Sequence, residues 1–469
     1  MMLKTFSMGL LPMLMLAGCS MEPDYQRPAL PVAGHYAEQG QGQHRVGNGA
    51  TIRWQNFFTD PVMHKLIVQA LDNNRDLRVA ALNVEVARSQ VTVARSALMP
   101  SVDLNAGETA AHLPGNLYNS GPGGGTTYHQ FDANFGITAW ELDFFGHLRS
   151  LSHSALERYL AMDATQRATR ISLISQVAIS YLSLCSDNEL LKLAQNTAQS
   201  QQDSWALTRR SYENGVSSEQ DVVQAETLVR TAQADVAAYS RQVRQDMNAL
   251  TLLVGRGLPT DLLASASLKK AWNFPATPAG LPSDLLTHRP DIIAAEHRLL
   301  SANANIGAAR AAFFPSISLT AMGGSSSGRL SDLLSGGTAA WRVSPAIDLP
   351  IFRGGQNVAN LNIAKLQKRI EIADYEKTIQ TAFKEVGDAL AGQETYKDEI
   401  YARQQDEQAS QRNYDLASVR FREGVDNYLN VLVAQRTLYS AQQLLITTRL
   451  GQLTQQITLY KALGGGWKS

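Results

Sequence analysis

Few residues in this chain are spaced to do chemistry. Gly324-Ser325-Ser326-Ser327-Gly328 fits the G-x-S-x-G pattern of a hydrolase nucleophile elbow, in which a serine is raised to attack an acyl carbon. That reaction needs a strand-to-helix turn, whereas this motif falls in a Gly/Ser-rich loop expected over 323–338 between two antiparallel strands. His147 with His153, and His288 with His297, lack the i, i+4 spacing and carboxylate base of a zinc hydrolase, and no P-loop or dinucleotide fingerprint is present. Cys19 and Cys185 cannot build a disulfide framework, and neither has a CxxC or Cys/His partner for zinc. No constellation carries catalysis, a metal or a cofactor, so the chain reads as a non-enzyme.

One cysteine has a different chemistry. Lys4 precedes an apolar run from Phe6 to Leu16, which fits the charged and apolar regions of a secretory signal over 1–18. The run ends in Leu16-Ala17-Gly18-Cys19, which resembles a bacterial lipobox, where the thiol is acylated and becomes the first mature residue. In lipoproteins a non-aspartate next, here Ser20, resembles an outer-membrane sorting signal. Residues 19–60, with Pro23, Pro28 and Pro31 and then a Gln/Gly-rich stretch, read as a lipid-anchored tether without a core of its own.

The elements that must carry the rest are long. A chain of 469 residues holds about three domains by length alone. Lys+Arg 42 against Asp+Glu 42 cancel, which gives no footing for nucleic acid. No mature segment shows the ~20 apolar residues of a spanning helix, so any crossing of a membrane is by strands. Of the 16 prolines, none lies between Pro122 and Pro259 and none follows Pro350, and both stretches therefore favour helix. Gly355, Gly424 and Gly464 repeat Gly146, Gly215 and Gly255 at an offset of 209 residues. The chain is thus duplicated. A first repeat over 61–255 holds a short helix near 76–98, a hairpin over 101–140, a long helix 147–214 and a return helix 216–254. After a linker over 256–290, a second repeat over 291–463 holds a short helix near 291–313, a hairpin over 316–349, and helices 356–423 and 425–463, with a tail at 464–469. At ~1.5 Å per residue each long helix measures about 100 Å, too long for a compact domain.

Strand signals are confined to the hairpins. Phe131, Ala133, Phe135, Ile137 and Ala139 alternate with Asp132, Asn134, Gly136 and Thr138, giving one apolar and one wet face; Arg342 and Ser344 take the wet side of the last strand. Pro345 marks that strand as an edge, a bulge or a bend. A sheet in lipid must close, and the smallest common barrels have about eight strands. Four strands per chain therefore require assembly, and a trimer supplies twelve.

These residues resemble the TolC-like outer-membrane efflux proteins, and within them the lipid-anchored OprM-like (NodT) branch. The resemblance covers essentially the whole mature chain. Besides the lipobox it rests on the duplicated Ala94-Arg95 to Pro100-Ser101 and Ala309-Arg310 to Pro315-Ser316 blocks. The segment Trp140-Glu141-Leu142-Asp143-Phe144-Phe145-Gly146 and the run from Arg420 to Leu429 complete it. It implies a mixed α and β membrane protein: a homotrimeric twelve-stranded outer-membrane β-barrel continued by a long periplasmic α-helical barrel. It further implies an exit duct for drugs and other small toxic compounds, docked to a periplasmic membrane-fusion adaptor and an inner-membrane efflux transporter of the RND type. The alternative within the same fold is a conduit for type I protein secretion. The turns at Gly215 and Gly424 would form the periplasmic tip, and Arg420, Leu429 and Arg436 match gate positions of relatives. Where relatives often carry an aspartate this chain has Val433, which leaves Asp426, Glu423 and Asp221 as the nearby acidic partners.

Overall fold

The computed structural model describes residues 20–34, 36, 51–114, 125–259, 261–270, 272, 274–280 and 282–466. The signal segment, Cys19 and most of 35–50 lie outside the described residues. In chain order the helices and strands are α1 (Trp54–Phe57), α2 (Pro61–Asn73), α3 (Arg75–Ser96), β1 (Asp103–Leu113), β2 (Thr126–Glu141), α4 (His147–Glu213), α5 (Glu219–Val254), α6 (Leu262–Ser265), α7 (Leu285–His288), α8 (Pro290–Ala311), β3 (Ser316–Ser327), β4 (Ala339–Asp348), α9 (Gln356–Arg422) and α10 (Tyr428–Ala462).

Local chemistry sets the helix ends. The return helices begin at Glu219 and Tyr428, three residues later than the turn glycines alone suggest, because Ser218 and Asn427 cap them. The Ser218 hydroxyl accepts the Asp221 N–H at 3.2 Å while the Asp221 carboxylate accepts the Ser218 N–H at 3.0 Å. Asn427 accepts the Asn430 N–H at 3.4 Å. The short helices stop at Ser96 and Ala311, two residues before the expected 98 and 313. Each ends in i→i−3 bonds ahead of its proline: Leu98 N–H to Arg95 O and Met99 N–H to Ser96 O, repeated by Phe313 to Arg310 and Phe314 to Ala311.

The chain forms two compact units, one made of residues up to Ala29, Asn83–Met162 and Ala295–Tyr375, the other of Leu30–Leu82, Asp163–Ala294 and Glu376–Ser469. The second has the larger apolar core. Ile174, Val177, Ala178, Tyr181, Leu182 and Cys185 of α4 pack with Leu66 and Ile67 of α2, Leu250 and Val254 of α5 and Ile457 of α10. Against the sequence expectation, one window of α4 is apolar enough for a membrane span, but these core residues account for it. Trp54, Phe57 and Phe58 are likewise core rather than tether: Phe57 stacks on Tyr460 with centroids 4.0 Å apart, and the Tyr460 hydroxyl donates to Ile52 O at 2.7 Å. The 256–290 linker also supplies buried residues, Leu262, Ala266, Leu268 and Leu285. Arg289 closes this unit. Its side chain is 8% exposed, donates to Asp291 at 3.0 and 2.6 Å and to Glu385 at 2.7 Å, and reaches Ala462 O at 2.9 Å.

The first unit holds the sheet, a four-stranded antiparallel array in the order β1-β2-β3-β4. Two of its three pairings are hairpins, whereas β2–β3 joins the two repeats. The strands run further than their alternation indicates: β1 reaches Leu113 and β3 reaches Ser327, which places Gly324–Ser327 inside a strand and not in a loop. A nucleophile elbow is geometrically impossible there.

Candidate functional site

Two places on this framework could serve a passage: the wall formed by the sheet and the turns between long helices. In the sheet, side chains of directly paired residues share a face. Leu104 opposes Phe135, Ala106 opposes Ala133, and Ile137 opposes Ala321; Val343 opposes Ala321 and Trp341 opposes Gly323. One face is therefore apolar across all four strands, and it is bare: Leu104 is 78% and Trp341 81% exposed in the single chain. The other face carries Asn105 with Asn134, Asp132 with Ser326, Thr320 with Ser344, and Arg342 with Met322.

Alternation in β2 holds only as far as Ile137. A bulge follows, so that Trp140, not Ala139, pairs with Leu319 and stays on the apolar face. Ala139 takes φ +49, and its N–H donates to the Thr320 hydroxyl at 3.1 Å, which satisfies the amide that the ladder loses. Both Thr138 and Ala139 thus leave the strict two-faced pattern. Pro345 sits on β4, an edge strand of the protomer, where a missing N–H costs no ladder bond within the chain. Along β2 the apolar run from Phe131 to Trp140 covers about 30 Å at ~3.3 Å per residue, although at its outer end β1 and β3 place Glu108, Ser325 and Ser327 on the same face. With a ~40° tilt this becomes about 23 Å, close to the ~25 Å band of an outer-membrane barrel.

The turns are built alike. Gly215 and Gly424 have φ +71 and +70, and a Cβ on either would meet nothing within 4 Å, so the backbone conformation alone selects glycine. Val216 N–H bonds Ser211 O at 2.8 Å and Gly215 N–H bonds Tyr212 O at 2.8 Å; Val425 to Arg420 O at 2.9 Å and Gly424 to Phe421 O at 3.0 Å repeat this. Both are Schellman closures.

Their charges differ. In the second turn Arg420 Nε donates to Asp426 Oδ2 at 2.6 Å and a terminal nitrogen to Oδ1 at 3.2 Å, a fork that clips the turn shut. This hydrogen bonding holds the Asp426 carboxyl below its ordinary value and raises the Arg420 guanidinium. At the offset of 209 the first turn has Ser211 and Ser217 instead, and so lacks the clip. Asp221 is engaged in its capping box and is not a partner for an arginine.

Leu429, Val433 and Arg436 fall at i, i+4 and i+7 of α10 and line one groove of about 320 Å³ with Leu432 and with Gln224, Thr227 and Leu228 of α5. Arg436 has no ion-pair partner among the described residues. The groove is apolar at its walls and carries one unpaired cation.

Sequence reading missed one titratable pair. Asp187 of α4 lies against Asp246 of α5; burial, then a hydrogen bond and charge repulsion from Asp246, push its carboxyl up to about 7. Two aspartates 59 residues apart give no local signal, and only the return of α5 along α4 brings them together.

Comparison with known proteins fits this geometry. The family described as "Outer membrane efflux protein" matches residues 66–256 and 281–465, one segment in each repeat. The toluene efflux pump outer membrane protein TtgF of Pseudomonas putida is 49% identical over 473 residues, covering 99% of this chain and 98% of TtgF. A membrane protein of Pseudomonas aeruginosa superposes with a TM-score of 0.87 at 38% identity, over 96% of this chain and 98% of the other. The open MtrE outer-membrane channel of Neisseria gonorrhoeae gives 0.86 at 37% identity, over 96% and 99%. A two-faced sheet that cannot close alone, paired helical turns and these likenesses have one explanation: the chain belongs to the outer membrane efflux protein family, as the trimeric, non-catalytic outer-membrane channel of a tripartite system that exports small molecules.

Proposed function

We propose that this channel belongs to the lipid-anchored OprM-like branch, serves an inner-membrane pump of the RND type, and is gated at the turns around Gly215 and Gly424. Cys19, last residue of Leu16-Ala17-Gly18-Cys19, carries the acyl anchor. The substrates are small organic compounds, as the toluene named for TtgF suggests. The wet face of the sheet, with Asp132, Asn134, Arg342 and Ser344, passes them without a binding pocket of its own.

The observation that carries the gate reading is the Arg420–Asp426 fork, which is present in one turn and absent from its duplicate. An exposed pair of this kind is screened by salt and can be broken by a docking partner that offers competing charge. Leu429, Val433 and Arg436 narrow the aperture beside it, and Val433 makes that constriction apolar. The test is Arg420→Ser with Asp426→Ser in a strain lacking its own channel. The unclipped protein should admit a large antibiotic such as vancomycin while trimers still form. Vancomycin exclusion equal to wild type would remove the gate from this turn.

A further inference from the structure

Of the three strand pairings, β1–β2 and β3–β4 are closed by their own hairpins, but β2–β3 joins segments about 180 residues apart. Its register cannot come from a turn. Alternation of the two faces excludes odd slips only, and against an even slip the seam has the helices at the feet of those strands, since α4 follows β2 and α8 precedes β3. Within this unit the two helices touch through polar bonds: His297 to Glu157 at 2.6 Å, Ser154 to Ser301 at 2.9 Å and Arg158 to Ser301 at 3.2 Å.

The N-terminal segment lies on the same pair of helices. Arg27 makes a two-bond fork to Glu296 at 2.8 and 2.8 Å, and the Tyr25 hydroxyl donates to Glu296 at 3.1 Å. Asn303 donates to Pro23 O at 2.8 Å and Arg310 to Met21 O at 3.1 Å. Glu296, Asn303, Gly307 and Arg310 form one stripe of α8, along which the segment runs antiparallel. At Gly307 a Cβ would come within 2.5 Å of Glu22 Cγ, 2.6 Å of Ser150 Oγ of α4 and 3.0 Å of the Glu22 backbone nitrogen, so the missing side chain is the slot in which the segment lies against α4. From that slot Glu22 reaches His153 of α4 at 2.9 Å. Residues 21–27 were expected to be free tether; they bond both helices instead.

We propose that residues Met21–Arg27 are a registration strap, which fixes the α4–α8 spacing and thereby the β2–β3 seam on which barrel closure depends. Arg27, Glu296 and Gly307 are its positioning residues. The strap does this through side-chain and backbone bonds of its own, separately from any lipid on Cys19.

The test uses the full-length chain expressed in cells, with cysteines at Ala133→Cys and Ser325→Cys, which are in register, or Ala133→Cys and Gly323→Cys, slipped by two. Arg27→Glu should lower the in-register cross-link and the heat-modifiable trimer several-fold, with palmitate incorporation unchanged. Glu296→Arg on that background should restore both, because the fork re-forms reversed. Gly307→Ala beside Ser150→Ala, which removes the α4 hydroxyl that the new Cβ would otherwise meet, should reproduce the loss, whereas Ser150→Ala alone should not. Wild-type cross-linking in both Arg27→Glu and the Gly307→Ala, Ser150→Ala protein overturns the proposal. So does a loss in Arg27→Glu that Glu296→Arg leaves uncorrected, since the pair would then not be what acts. Loss of palmitate alongside the cross-link would assign the effect to failed processing and overturn it equally.

Discussion

Gly424→Ala isolates what the second turn demands of its backbone. Gly424 has φ +70 and open space around its missing Cβ, so alanine introduces no clash, only the left-handed strain of about 1–2 kcal/mol. Alanine also stiffens the opened chain, which offsets roughly 0.4–1 kcal/mol. Gly257→Ala carries that offset without the strain, because Gly257 has equal space and no positive φ. The difference between the two variants is therefore the strain itself, worth about five- to thirtyfold in the local opening equilibrium at ~1.4 kcal/mol per decade. Hydrogen exchange read by mass spectrometry on peptides across Phe421–Leu429 measures it directly. Against wild type the strain less the offset leaves about 0.8 kcal/mol, so exchange there should quicken about fourfold in Gly424→Ala, and less in Gly424→Asn, since asparagine tolerates this conformation. Equal exchange in Gly424→Ala and wild type, with Gly257→Ala as reference, would refute the claim that conformation alone selects glycine here.

Three further outcomes follow from the same structure. Arg289→Met strands the Ala462 carbonyl and two carboxylates; breaking a fully buried pair costs ~3–5 kcal/mol, but Asp291 and Glu385 are 39% and 41% exposed, so about 2 kcal/mol is expected in chemical unfolding of the solubilised trimer. Asp187 is raised to about 7, so the folded chain holds a proton that the unfolded chain, titrating near 4, releases; stability is highest below pH 4 on this account and falls as pH rises to 7. Melting scans of Asp187→Asn should lose that slope. Cys19→Ser should abolish palmitate incorporation yet leave heat-modifiable trimers, as strand pairing and the strap do not use the thiol.

Legibility in the sequence followed how local the physics was. The helix ends were readable because a glycine with positive φ is a one-residue requirement, and its repetition at 209 residues doubled the signal at Gly215 and Gly424. Alternation gave the two faces of the sheet until the bulge at Thr138–Ala139, where the partner that sets the register, Leu319, lies in the other repeat. The caps at Ser218 and Asn427 were present in the sequence but hidden by the stronger glycine signal. The packing of Trp54, Phe57 and Phe58, and the bonds of Met21–Arg27, were not readable, because proline and glutamine content describes the chain's local stiffness and says nothing of distant partners. Of the candidate gate residues, Leu429, Val433 and Arg436 share a groove as their helical spacing implies, whereas Arg420 engages Asp426 within its own turn.

The apolar face of the sheet ends at Phe131. Glu108, directly opposite Phe131, bonds His129 at 2.8 Å, and further out on the same face His112 bonds Thr127 at 2.8 Å. Five residues of β1, from Thr109 to Leu113, continue past the band, about 17 Å along the strand and roughly 13 Å in height at a ~40° tilt. There the strands form a hydrophilic collar wetted inside and out. Neither side is held to greasy residues, so this collar can drift in composition without loosening the protein, and it is open to impermeant labels arriving from the medium.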